Sequence, residues 1–200
     1  MAITVTDIIV TPARIFYAPV GEALPDETTI EYGDAWGGNW VDLGATSEPI
    51  TWISDRTEFE AMIQQSTMVV KRRKVDEKFA FETVLAELTP TNLSILLGGT
   101  VATTAAGASQ RGFQQLPVGG NFDITERIWG IEGLYEDASD LEFPIRIFMP
   151  KATANLNGNL QFGKANVAGI PLRVDAIADL SAAVGAQGPI FQRVTAETTA

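Results

Sequence analysis

The sequence predicts a mainly β protein: a sandwich or barrel of about eight strands, one short packed α-helix over residues 90–97, and long loops and terminal arms around a single domain spanning residues 1–200. Three observations predict it. Apolar residues recur with a period of two in most ordered-looking segments. Only one segment carries helix punctuation at both ends. Between these segments lie stretches of Gly, Pro and small residues too irregular for either period.

The elements follow in chain order. Residues 1–13 are an N-terminal segment with no basic leader before an apolar run, so no signal peptide is expected. Arg14 to Val20, Trp40 to Gly44, Ile50 to Glu60 and Ile128 to Tyr135 are rich in Ile, Val and aromatic residues and read as strands. Phe79, Phe81, Thr83 and Leu85 alternate with Lys78, Ala80, Glu82 and Val84. Leu141, Phe143, Ile145, Ile147 and Met149 alternate with Glu142, Pro144 and Arg146, which are expected to face water. Residues 156–162 and 170–178 repeat the pattern, and Pro144 and Pro171 mark edges or bulges. For the helix, Thr89 suits the N-cap, Pro90 the first helical position and Gly98 the stop. Leu93, Leu96 and Leu97 are expected to face the sheet, with Ile95 at the margin. Residues 21–38, 98–122 and 181–200 read as two loops and a C-terminal arm. The charge-free stretch from Leu88 to Gln110 is broken by Pro90 and Gly98-Gly99, so it reads as a helix and loop with no membrane span.

Composition narrows the chemistry. The 200 residues contain no Cys and no His, which removes disulfides, thiol nucleophiles and every His-based catalytic pair or metal site. With 14 basic and 25 acidic residues the formal charge is −11, a poor match for gripping nucleic acid or an anionic membrane. The excess is concentrated at the front: residues 1–70 hold 11 acids and 2 bases. Folding, by contrast, needs no staple, because a chain of this length buries roughly 70% of its unfolded surface.

No phosphate loop, dinucleotide fingerprint or nucleophile elbow occurs, and no cofactor is expected. Glu136, Asp137, Asp140 and Glu142 form the densest acidic cluster; its spacing is not that of a Ca²⁺ loop, and a solvated turn explains it. Lys71-Arg72-Arg73-Lys74 is the one basic run. Asp76 and Glu77 follow at once and no aromatic is interleaved, so a solvated loop flank, or a partner for acids on another subunit, fits it better than nucleic acid. Asn92-Leu93-Ser94 matches a glycosylation sequon inside the expected helix. Trp36, flanked by glycines in an irregular segment, is a candidate for an exposed sugar platform, whereas Trp40 and Trp52 are expected to pack in a core or interface.

Segment order adds a resemblance. The strand Arg14 to Gly21, the phrase Trp40-Val41-Asp42-Leu43-Gly44-Ala45-Thr46, a long hairpin-like stretch around residues 50–80, the strand–helix piece from Glu87 through Leu97-Gly98, and Ile145-Arg146-Ile147-Phe148-Met149-Pro150-Lys151-Ala152 together resemble the major tail proteins, or tail tube proteins, of long non-contractile-tailed bacteriophages. The resemblance covers most of the chain and rests on segment order and short non-catalytic phrases. It implies a structural, non-enzymatic virion protein of the tail, assembled in the host cytoplasm. It implies hexameric rings stacked into a tube that encloses the tape measure protein, meets tail terminator and tail-tip or baseplate proteins, and passes DNA without gripping it.

Residue-level expectations follow. Glu82 and Glu142, each opposite an apolar stripe, are candidates to line the lumen, with Glu58 and Glu60 behind them; an outer surface is the competing placement. Residues 60–74 are expected to protrude and contact the next ring through Met62, Ile63, Val69 and Val70 beside Lys71, Arg72, Arg73 and Lys74. Two other classes remain open at this point. A carbohydrate- or receptor-binding sandwich of a tail tip or decoration protein predicts an exposed aromatic platform, and a carboxylate-based hydrolase predicts a deep pocket with two facing acids.

Overall fold

The structure is a computed structural model that describes residues 12–120, 124–136, 141–160, 162 and 168–195. Ten strands and one helix follow in the order β1 (Arg14–Pro19), β2 (Val41–Asp42), β3 (Thr51–Ala61), β4 (Lys71–Leu85), α1 (Pro90–Leu97), β5 (Ala102–Thr104), β6 (Phe113–Gln115), β7 (Glu126–Glu136), β8 (Glu142–Leu156), β9 (Ile170–Ala176) and β10 (Ile190–Arg193). Eight strands make one antiparallel sheet in the order β2-β1-β7-β8-β9-β4-β3, with β10 also paired to β8; β5 and β6 form a separate ribbon. The sheet does not close into a barrel. One side of it packs a main core drawn from β1, β4, β7, β8 and β9: Ile15, Phe81, Trp129, Met149, Leu172 and Val174 are all buried there. Each such side chain contributes roughly 1.5–3 kcal/mol by leaving water. A one-residue slip of any of these strands would turn that set outward, so the core also fixes register.

The helix closes this core as its punctuation predicts. Thr89 Oγ1 accepts the Asn92 N–H at 3.1 Å, Pro90 opens the first turn, and Gly98 ends the helix at φ +73°. Its rotation differs from the expected one: Ile95 is buried, Leu93 and Leu96 are half-buried, and Leu97 is exposed. Asn92 explains the difference. It is buried, and its amide donates to the carbonyls of Glu87 (3.0 Å) and Leu43 (3.4 Å), which pins the Asn92–Ile95 side of the helix inward. The sequon asparagine is therefore committed to the fold.

Three further segments depart from the alternation read along the chain. The basic run Lys71–Lys74 is strand rather than loop flank, paired to Glu58–Ala61. Residues 142–156 form one strand that bends at a bulge opposite Arg127 and Trp129, where two steps on β7 meet three on β8. Pro150 lies in that bulge and has no N–H to donate, so it costs the ladder nothing there. The bulge brings Met149 and Ala152 to the same core. The strand expected over residues 156–162 ends at Leu156; Gly158, at φ +135°, turns the chain away. Among the described residues no helix is long and apolar enough to cross a membrane.

The opposite side of the sheet is not uniformly wet. Residues 22–40 lie across it as a strap over a second core of Phe16, Trp36 and Phe148, with Leu24, Ile30, Trp40 and Ile190 at its rim. Register makes the seat. Phe16, Gly130 and Phe148 stand side by side on β1, β7 and β8, and so do Arg14, Glu132 and Arg146 in the next row. Trp36 drops onto Gly130: a Cβ at that glycine would lie 2.3 Å from the indole Cζ3. Phe16 stacks on the ring at 4.0 Å and Phe148 flanks it at 5.4 Å. The indole Nε1 donates to Glu132 Oε1 at 3.1 Å.

Glu132 and Arg146 are both fully buried. Arg146 donates to Glu132 through Nε (3.1 Å) and Nη2 (2.9 Å), to the Ile30 carbonyl (2.9 Å) and to Glu27. The second Glu132 oxygen takes the Gly33 N–H at 3.2 Å and faces Arg14 at 3.5 Å. The expectation that Arg146 faces water is thus overturned, because the strap covers it and supplies its partners. Trp36 is likewise buried, at 4% exposure, and cannot serve as a sugar platform.

Two stability predictions follow. Gly130→Ala should evict Trp36 and lower stability by about 1–3 kcal/mol from overpacking. The change should be visible as a lower denaturant midpoint and a red-shifted tryptophan emission. Arg146→Ala should cost about 3–5 kcal/mol by stranding the buried Glu132 carboxylate. Pairing Glu132→Gln with Arg146→Met should recover part of that loss in the same denaturant titration.

Candidate functional site

The side of the sheet that carries the strap also carries, beyond it, an open polar strip. By register Thr51, Glu82, Arg173 and Asn155 form one row across β3, β4, β9 and β8. Glu82 is half-buried and its Oε1 lies 2.6 Å from Arg173 Nη1; Arg173 Nε also donates to Asp175 Oδ1 at 2.8 Å, and Asn155 donates to Asp175 Oδ2 at 3.2 Å. Hydrogen bonds to Asp175 and then Glu82 hold the Arg173 guanidinium more firmly protonated than usual. Glu126 and Lys151 pair at 2.9 Å on the neighbouring strands. The strip is therefore charged but internally paired, with three carboxylates against two cations.

Glu142 is not on this strip. It opens β8, exposed and directly opposite Glu136. Like charges so placed repel. Asp137 and Asp140 of the acidic cluster lie outside the described residues. Glu142 borders a groove of about 920 Å³ between the strap residues 27–32, the start of β8 and the segment that follows β10. Glu27 and Glu31 of the strap line it with Phe143 and Val194, and Arg193 lies over the Tyr135 ring at 4.0 Å on the same side. Burial holds the Glu27 carboxyl above the ordinary range, against the opposing pull of Arg146.

The β3–β4 hairpin is the most exposed feature. β9 pairs with β4 only over residues 80–85, so among the described residues the paired residues 55–61 and 71–78 have no third strand. Residues 71–78 are all exposed, as are Phe59, Met62, Ile63, Met68 and Val70; Val69 is half-buried. A bulge between Thr57 and Glu58 twists this arm. Glu58 lies 3.0 Å from Arg56 and Glu60 2.8 Å from Arg72, while Lys74 pairs with Glu77 and Lys78 with Asp76. Glu58 and Glu60 are thus on the arm, apart from the Glu82 strip. Because the basic run is a strand, its four cations split between two faces: Lys71 opposes Ala61 and Arg73 opposes Phe59, whereas Arg72 and Lys74 oppose Glu60 and Glu58.

Sequence reasoning brought Met62, Ile63, Val69 and Val70 to one exposed end of the arm and missed the Glu132–Arg146 pair. The signal was present as Arg14-x-Phe16, Gly130-x-Glu132 and Arg146-x-Phe148, three segments with a charge and an aromatic or glycine two apart. Only strand order shows that the three charges are neighbours. Trp52 behaves as expected, half-buried against Phe79 and Phe191, and Trp40 donates its indole N–H to the Ala23 carbonyl at 2.8 Å.

Among the described residues the arrangement presents an open-ended sheet, a paired polar strip and a long two-stranded arm. A family model described as phage tail tube protein matches residues 1–186. A comparison with curated proteins gives no match. By this match, and in keeping with its sheet, the chain belongs to the phage tail tube protein family, structural components of the virion tail.

Proposed function

We propose that copies of this chain close into hexameric rings, that the rings stack into the tail tube, and that genomic DNA leaves through the lumen. The six-fold number comes from the family resemblance. The observation that carries the reading is the β3–β4 arm, whose paired residues beyond the sheet expose both faces and both backbone edges. Such an arm is stable as an extension only when something covers it. Copies of the same chain are the natural cover in a tube-forming family. Exposed Met62, Ile63 and Val70 at its end supply the apolar area for a contact with the next ring.

In this reading the polar strip bearing Glu82 faces the lumen. Its carboxylates are offset by Arg173 and Lys151, so the wall offers DNA a hydrated surface of slight negative excess, and six copies of a chain of charge −11 surround it. A wall of this kind lets phosphates pass without counterion release. The tube encloses the tape measure protein during assembly and abuts terminator and tip or baseplate proteins at its ends. Glu142, beside the groove, is left for a different contact.

Deleting residues 62–70 should leave folded subunits or single rings that do not stack, scored by negative-stain electron microscopy; long tubes from the deletion variant would end the arm reading. Glu82→Lys with Asp175→Lys turns the strip basic. Each exposed pair contributes at most on the order of 1 kcal/mol, so tubes should still form. DNA ejection from virions carrying the variant should slow and become more salt-dependent. Unchanged ejection kinetics would remove the strip from the lumen.

A further inference from the structure

We propose that the free basic face of the β3–β4 arm of one copy docks into the acidic groove beside the strap of a neighbouring copy. The inference rests on the reading of the arm as an assembly contact and names its receptor. On the arm, Arg56, Arg72, Lys74 and Lys78 are all paired within the hairpin. Lys71 and Arg73 are the cations left over: both are exposed, and neither meets a carboxylate among the described residues. They stand beside Ala61 and Phe59, so this face is apolar and basic together, and Met62 and Met68 flank it at the turn.

The groove has the complementary character. Glu31 and Glu142 line it without an ion-pair partner among the described residues, and Glu142 is set against Glu136 across the strands. Arg146 pairs with both Glu27 and Glu132 beneath, and Arg193 is the single cation on the lining. Ile30, Phe143, Pro144 and Val194 give the floor its apolar area. Two lining atoms, Glu27 Oε1 and Gln192 Oε1, are buried and lack a hydrogen-bond partner. A guanidinium or ammonium arriving beside the exposed Glu142 relieves the Glu136–Glu142 repulsion. Flexible methionines suit an irregular groove of about 920 Å³. Arm and groove are different surfaces, so the contact is heterologous and propagates from copy to copy.

Charge exchange tests the pairing. Lys71→Glu with Arg73→Glu should stop assembly of a subunit whose circular dichroism is unchanged, and so should Glu31→Lys with Glu142→Lys. All four substitutions in one chain should restore assembly, as should mixing the two paired variants. If the arm variant assembles normally, the arm reading and this proposal both fail. If the arm variant stops while the groove variant assembles, only the receptor assignment fails. A second measurement does not depend on charge. The chain has no cysteine, so Lys71→Cys with Glu142→Cys gives one unique thiol pair. A mild oxidant acting on assembled tails should yield a ladder beyond the dimer on a non-reducing gel; monomer or dimer alone would overturn the proposal.

Discussion

Trp36 on Gly130, with Glu132 and Arg146 beneath, is the contact on which the rest of the strap side of the sheet depends. A sheet that packs one core has an outer side that would otherwise expose Phe16 and Phe148 to water. The strap solves this with one large side chain and anchors itself by charge. Glu132 has no exposure, yet both oxygens are occupied: the indole N–H and two Arg146 nitrogens meet one, the Gly33 N–H and Arg14 the other. Charges removed from water are costly, and removing one partner strands the other. This network therefore favours one seat for the strap over near alternatives.

That seat divides the outer side into two regions with different uses. Under the strap the surface is dry and fixed. Beyond it, around Glu82, Arg173 and Asp175, it is open and paired charge by charge. The strap also creates the groove, because residues 27–32 stand above the start of β8. A single loop thus converts a half-exposed sheet into a sandwich-like body, a wet strip and a groove. The β3–β4 arm is a feature of another kind. It has no core of its own, and the sheet that begins it gives out at residue 80.

Much of the fold was legible from period and punctuation. Alternation found the strands from Phe79, Leu141 and Ile170, because a strand with one side in a core must show it every second residue, and enrichment in Ile, Val and aromatic residues found those from Arg14 and Ile50. Thr89, Pro90 and Gly98 bounded the helix correctly, because capping is local chemistry. Alternation misled at β8, where Pro144 and Arg146 share a side with Phe148. A strand with cores on both sides has no wet side to betray it, and burial of Arg146 depends on a loop more than 100 residues earlier. The helix rotation failed for a similar reason: Asn92 is polar, and only its two carbonyl partners make its burial favourable.

The sequence by itself determined the class of the molecule. Absent Cys and His, an acid excess, period-two strands and a recognisable segment order exclude most catalysis and point to a structural tail protein. Local rules suffice for these features, since each depends on residue types or on neighbours a few positions apart. Tertiary structure decided which charges meet. Arg14, Glu132 and Arg146 are far apart in the chain and adjacent in the sheet, whereas Lys71 and Arg72 are adjacent in the chain and face opposite ways. Strand order and register set those distances, and electrostatic interactions act over distances in space, whatever the separation along the chain.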